Sequence, residues 1–365
     1  MTTATSSFPV VPASFFGMPL GLTALGICWR HATALWGLPG AIGEGLIALG
    51  AALWALLLVL YGAKWLFHRT AAVAEIEHPV QCCFIALAGV VGSLVSIGAA
   101  PYSRAAALLL FAFGASWALI FALLRTGRLW QGGRPNESTT AALYLPLVGG
   151  GFVTGNAAAG LGLADWGQLA FGAAMLSWLA IESVLLQRLY TAPPMPPPLR
   201  LTLGVQMAPP AVGASSYLSV GSGAPDLFVH ALIGYGLLQA LLLLRLWPWL
   251  RKAGPGPGWW SFTFASASLP TAMIKLVAHG DGGAVALLAP WVFAAGNLAI
   301  AAIAAMTLVL LFQRRLLPAP QGATTAGLPA AGAPTAGTPT AGTPAAGTPA
   351  PTSAPAAAAR GADRG

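Results

Sequence analysis

Few ionisable side chains fall deep within the long apolar runs of this chain, among them Glu44, Glu182 and Lys275. A charge surrounded by hydrocarbon is costly, so each marks a place where an ion, a proton or a buried partner is handled. Glu182 is the deepest of them, with Gln187 and Arg188 following within two turns. It reads as a structural carboxylate paired with a helix terminus or a basic loop residue, or as a coupling group. No chain of buried carboxylates or histidines accompanies it, which argues against a proton pump. Hydroxyls recur on alternate apolar runs, at Thr23, Ser93, Ser96, Thr154, Ser215, Ser216, Ser266 and Ser268. Facing a narrow path, they would offer a passing anion weak hydrogen bonds without trapping it; singly, each can instead bond a carbonyl one turn back in its own helix. A further cluster reads Trp259-Trp260-Ser261-Phe262-Thr263-Phe264 and then turns to small residues, Ala265-Ser266-Ala267-Ser268. A ring projecting from a small-residue helix would close a polar lumen, and Phe262 and Phe264, two apart, are both candidates. Trp259 and Trp260 suit an interfacial aromatic belt.

Other chemistries lack their residues. None of the lysines, Lys64, Lys252 and Lys275, precedes Ser or Thr in a glycine-rich phosphate loop. Glu75, Glu77 and His78 lack the spacing of a zinc helix and read as a solvated amphipathic turn in a basic loop. Ser, His and Asp occur without a nucleophile motif. Cys28, Cys82 and Cys83 make neither a disulfide scaffold nor a multi-cysteine metal site. No catalytic residue, metal or cofactor is expected, and the chain does not read as an enzyme. The 17 Lys and Arg are scattered between apolar blocks, so the net charge of +8 does not form a nucleic-acid patch.

The elements that must position these residues follow from composition. With 57% apolar residues and 7% charged, the 365-residue chain has too few charges to cover a water-soluble globule. A helix crosses a bilayer core with about 20 apolar residues, its backbone groups satisfied internally. Ten such runs occur, at about 14–35, 43–66, 79–99, 102–125, 141–161, 165–188, 203–221, 227–247, 259–279 and 285–313. Residues 1–13 form a short N-terminal segment without the cationic region of a secretory signal, and no cleavage is expected. With that segment in the cytoplasm, twelve basic residues fall inside: Lys64, Arg69, Arg125, Arg128, Arg134, Arg188, Arg200, Arg245, Arg251, Lys252, Arg314 and Arg315. Three, Arg30, Arg104 and Lys275, fall outside. That asymmetry predicts both termini in the cytoplasm, and the 7% charged fraction predicts a pore with almost no fixed charge along it. Residues 318–365, rich in Ala, Pro, Gly and Thr, have little to bury and read as a disordered cytoplasmic tail.

Prolines mark the odd-numbered runs: Pro19, Pro146, Pro209 with Pro210, and Pro270, while the third run holds Gly89 and Gly92. The even runs are uniform Leu and Ala with Trp54, Trp117 or Trp178, and Pro290 sits near the start of the tenth. Five helical hairpins are expected, each pairing one bent helix with one straight one. Bent helices with freed carbonyls are tolerated where they line a cavity, so the odd helices are placed around a central axis, with Pro19, Gly89, Pro146, Pro209, Pro210 and Pro270 bending them.

Longer strings point to a family. Phe16-Gly17-Met18-Pro19-Leu20-Gly21, Tyr144-Leu145-Pro146 with Phe152, and Trp178 with Glu182-Ser183-Val184-Leu185-Leu186-Gln187 resemble the tellurite-resistance/C4-dicarboxylate transporter family. So do Ala208-Pro209, Tyr217-Leu218-Ser219, Gly234-Tyr235-Gly236 through Arg245-Leu246-Trp247-Pro248-Trp249, and Trp260-Ser261-Phe262-Thr263-Phe264. The likeness extends to bacterial TehA proteins and, more distantly, to plant guard-cell slow anion channels. It implies an all-α integral membrane bundle of ten helices, as five hairpins with quasi-fivefold symmetry around a central pore. It also implies a homotrimer in the cytoplasmic membrane and a pore occluded by one phenylalanine of the ninth helix, whose matching position is Phe264. Gly89, where relatives often carry proline, and the additional Pro270 depart from the pattern. The function expected is passive conduction of small anions, the alternative a coupled transporter or exporter of C4-dicarboxylate, sulfite or tellurite. Possible pore-lining polar groups are Thr23, Ser93, Thr154, Ser215 and Ser266.

Overall fold

The computed structural model describes residues 9–221 and 225–317, so the expected tail and the first eight residues lie outside it. Among the described residues all regular structure is helical. The main segments are α1 (Gly17–Trp36), α2 (Gly40–Phe67), α3 (Leu87–Ala99), α4 (Arg104–Trp130), α5 (Gly150–Gly160), α6 (Ala164–Thr191), α7 (Ala208–Val220), α8 (Leu227–Arg245), α9 (Thr263–Ala278) and α10 (Ala284–Phe312). They coincide with the ten apolar runs to within a few residues at most ends.

Seven stretches, containing α2, α3, α4, α6, α8, α9 and α10, are long and apolar enough to cross a membrane. α1, α5 and α7 fall short of that description, for a packing reason. α1 carries Arg30 and His31, α5 has 11 residues and α7 has 13. All three pack on other helices on several sides, so their surfaces meet protein and have no need of uniform apolarity.

The packing has a simple order. α1, α3, α5, α7 and α9 each pack on the next, and α9 returns to α1, closing a ring. α2, α4, α6, α8 and α10 lie outside it, each against the ring helix before it and the ring helix after it, with α10 closing onto α1. Close approach is secured by glycine: a Cβ on Gly114 of α4 would stand 2.5 Å from the Ser93 amide nitrogen and 2.6 Å from the Gly89 carbonyl oxygen of α3. Ser103 caps α4, its Oγ accepting from the Ala106 amide, and Asp226 caps α8 through the Val229 amide at 3.1 Å. The Tyr217 hydroxyl and that amide hold the Asp226 carboxyl below the usual carboxylate range.

Every ring helix begins in a lead of different helical pitch. Tighter 3-10 turns span Ala13–Phe16, Gln81–Ala86, Leu201–Met207 and Pro257–Phe262, before α1, α3, α7 and α9. A wider π turn, Leu145–Gly149, precedes α5. Proline lacks the N–H that an α-turn needs and its ring crowds the carbonyl four residues back, so a change of pitch accommodates it. At Pro19, Pro146, Pro209 and Pro210 the disruption is therefore a junction between helix types at the start of the α-helix. Pro270 lies inside α9, and Pro290 inside α10.

Candidate functional site

Among the described residues, two successive cavities open inside the ring and its leads. The larger, about 290 Å³, is lined by Ala24, Ile27 and His31 of α1, Leu94 and Ile97 of α3, Val153, Asn156, Ala159 and Gly160 of α5, Val212, Ser215 and Ser219 of α7, and Phe264, Ser268, Thr271 and Lys275 of α9. All five ring helices contribute and no outer helix does. The smaller, about 220 Å³, is lined mostly by the leads and first turns, among them Ser14, Gly17, Leu20, Phe84, Leu87, Leu145, Thr202, Val205, Trp260 and Ser261. Phe264 lines both. In each ring helix taken with its lead, the residues of the smaller cavity precede those of the larger, so the cavities follow one another along the ring with Phe264 at their join.

The two phenylalanines left open by their spacing part company here. Phe264, second residue of α9, is buried and faces the cavities. Phe262 instead fits over Gly204, where a Cβ would come within 2.6 Å of its ring, and stacks at 5.3 Å on Trp259. Trp259 and Trp260 are buried rather than belted at an interface. Trp260 Nε1 donates to Thr307 Oγ1 at 2.8 Å, tying the α9 lead to α10.

Among the expected hydroxyls, Ser215 and Ser268 line the larger cavity. Thr23 lies against Gly50 of α2 and Ser93 against Gly114 of α4, both buried at contacts with outer helices. The Ser266 carbonyl meets Gly296 of α10, and Thr154 of α5 is half-buried. Gly89 packs against the Gly114 carbonyl and Trp117. His31, Asn156, Ser219, Thr271 and Lys275 line the larger cavity without having been marked as a group. Their signal is helical spacing: Phe264, Ser268, Thr271 and Lys275 recur at four, three and four residues, one face of a helix. Ala24-Ile27-His31 and Val212-Ser215-Ser219 repeat three and four.

The ionisable groups divide by partner. Glu182 accepts from Trp178 Nε1 at 3.0 Å, Gln206 Nε2 at 2.9 Å, the Tyr235 hydroxyl at 2.6 Å and the Tyr144 hydroxyl. These donors join α6 to α8 and to the approaches of α5 and α7. Glu44 holds Arg30 through two contacts, at 2.5 and 2.6 Å, and Arg30 also donates to the Gly98 carbonyl of α3. Glu75 is buried, which corrects the reading of its segment as a solvated turn. It accepts from Lys64 Nζ at 2.7 Å, from the Tyr61 hydroxyl at 3.0 Å and from the Ala13 amide at 2.8 Å, fastening the α1 lead. Two side chains and one backbone amide converge on this carboxylate, so the buried charge is paired and its oxygens are hydrogen-bonded.

Lys275 has a different environment. Its ammonium donates to the Ser215 carbonyl at 2.7 Å and to Ser219 Oγ, and lies 3.4 Å from Ser215 Oγ and Asn156 Oδ1. Among the described residues no carboxylate forms an ion pair with it. The expectation of a cavity nearly free of fixed charge is corrected: Lys275, placed late in the ninth run and counted with the outside positions, is buried in the cavity wall. Among the described residues no His, Cys, Asp and Glu group is arranged to hold a metal.

Comparison with known proteins agrees with this geometry. Residues 10–308 match the family model described as voltage-dependent anion channel, SLAC1. The chain is 36% identical over 278 residues to the tellurite resistance protein TehA homolog of Haemophilus influenzae, covering 76% of this chain and 84% of that protein. It is 24% identical over 323 residues to the S-type anion channel SLAH2 of Arabidopsis thaliana, covering 84% of this chain and 60% of that one. A closed ring of small-residue helices, an outer layer of membrane-length apolar helices and this extent of likeness together make the chain a multi-pass membrane protein that belongs to the SLAC1 voltage-dependent anion channel family.

Proposed function

We propose that the protein conducts small anions passively along the axis of the ring, and that the Phe264 ring is the gate. The observation that carries this reading is the position of Phe264 as the residue shared by two cavities that follow one another inside the ring. An aromatic ring at such a join excludes water and ions from an otherwise open path. The contact order supports an arrangement of five hairpins with quasi-fivefold symmetry, since each outer helix repeats the same two contacts. Ten membrane crossings in the cytoplasmic membrane, both termini in the cytoplasm and assembly as a homotrimer with one pore per subunit complete the reading. The twelve-to-three division of basic loop residues supports the orientation. Ser215 and its neighbours supply polar contact in the wider part of the path; Pro19, Gly89, Pro146, Pro209, Pro210 and Pro270 shape the helices around it. Glu182, held by four donors, serves as a structural carboxylate.

The test is chloride current through purified protein in planar bilayers. Phe264→Ala is expected to raise it at least about tenfold, because the path then lacks its occluding ring. Current no larger than wild type overturns the gate. A flux that tracks a proton or sodium gradient, instead of the anion gradient and voltage alone, would favour the coupled transporter, with tellurite, sulfite and dicarboxylates as its substrates to compare.

A further inference from the structure

We propose that the larger cavity is an anion-binding station whose recognition group is Lys275, taking small inorganic anions of the size of chloride or nitrate. The proposal rests on the reading of the ring as an anion path, and assigns the place within it where the ion pauses. Two other cations of the bundle each meet a carboxylate directly. Lys64, 3% exposed, has Glu75 at 2.7 Å, and Arg30 has Glu44 at 2.5 Å. Lys275, 9% exposed, has only neutral oxygens around it. An uncompensated buried ammonium is strongly unfavourable unless a counter-ion reaches it. Here the space for one is built in, since the ammonium stands in the wall of a cavity of about 290 Å³.

The surroundings suit a small anion held without being trapped. His31, Asn156, Ser215, Ser219 and Thr271 share the wall, adding polar groups and no negative charge. The Ser219 hydroxyl lies 2.6 Å from Asn156 Oδ1, which keeps both side chains beside the ammonium. Lys275 follows Phe264 by eleven residues, about 16 Å along the helix. The station is thus on one side of the ring that closes the path and separate from it, so an ion is gathered before or after the constriction rather than at it. Weak, single-charge attraction of this kind favours ion over water yet permits release.

The experiment measures chloride current against chloride concentration for the full-length chain carrying Phe264→Ala, so that the path is open. Adding Lys275→Met is expected to raise the half-saturating chloride concentration about tenfold or more, and to lower the chloride-to-potassium permeability ratio by a similar factor. Asn156→Asp keeps the lysine and supplies a carboxylate beside it; the internal counter-ion is expected to produce the same losses, and this variant decides the matter if Lys275→Met does not fold. Lys275→Arg keeps the charge and is expected to stay within about threefold of its parent. Half-saturation and permeability ratio unchanged by Lys275→Met and Asn156→Asp would overturn the station while leaving the channel reading intact. Should Phe264→Ala carry no anion current, the gate fails by itself. The station is then measured as thermal stabilisation of the detergent-purified wild-type chain by chloride over gluconate, expected to vanish in Asn156→Asp; equal stabilisation in both overturns it.

Discussion

The ring helices and the helices outside them answer to different solvents. In the membrane-length windows of α3 and α9 with their leads, 83% and 72% of the residues are buried within the protein. In α2, α4, α6, α8 and α10 the share is 28%, 22%, 22%, 33% and 17%. The outer helices turn Leu56, Leu109, Leu176, Leu241 and Leu298 away from the protein, an arrangement that a hydrocarbon surrounding or an apolar neighbouring surface makes favourable. The ring helices, relieved of that requirement, carry proline, glycine, serine and a lysine. One layer is selected for lipid and the other for the shape and polarity of the space it encloses.

That contrast can be broken at graded cost, read as the loss of folded protein on heating in detergent. Glu75→Gln leaves Lys64 buried without its counter-charge at the point where an outer helix fastens the α1 lead, and is expected to cost about 3–5 kcal/mol. Met273→Ala, in the fully buried part of α9, removes packing on all sides and should cost about 2–4 kcal/mol. Gly114→Ala places a methyl group against the backbone of α3 and should cost about 1–3 kcal/mol, although the residue belongs to an outer helix. Leu176→Ala, on an exposed face of α6, should change stability by less than about 0.5 kcal/mol. If Leu176→Ala proved as damaging as Met273→Ala, the division into a protein-facing ring and a lipid-facing layer would be wrong.

Much of this layering is legible in the amino-acid sequence because its cause is local. A helix facing lipid must be apolar along its length, so α2, α4, α6, α8 and α10 stand out as leucine-rich runs. Proline and glycine on the alternate runs identify the ring for the converse reason. The leads before each ring helix are not legible, since a change of pitch at Pro19 or Pro146 depends on what packs around it and not on the proline alone. Glu75 looks like a solvated charge until α2 brings Lys64 and Tyr61 to it from eleven and fourteen residues away. The place of Lys275 in a cavity wall is missed for a related reason. Near the end of an apolar run this lysine is indistinguishable from a loop charge, and its spacing from Phe264, Ser268 and Thr271 gains meaning once that face is known to line a cavity. The Phe262 and Phe264 pair shows the same limit: alternation places the two rings on different sides of the helix, and Gly204 decides which side is packed.

Paired side-chain series at the two phenylalanines test the gate most directly. With Phe, Leu, Val and Ala in turn at position 264, chloride current through the purified protein should rise as the side chain shrinks, whereas the same series at position 262 should leave the path closed. Current that rises along the 262 series, or stays at the wild-type level along the 264 series, would contradict Phe264 as the residue that closes the ring.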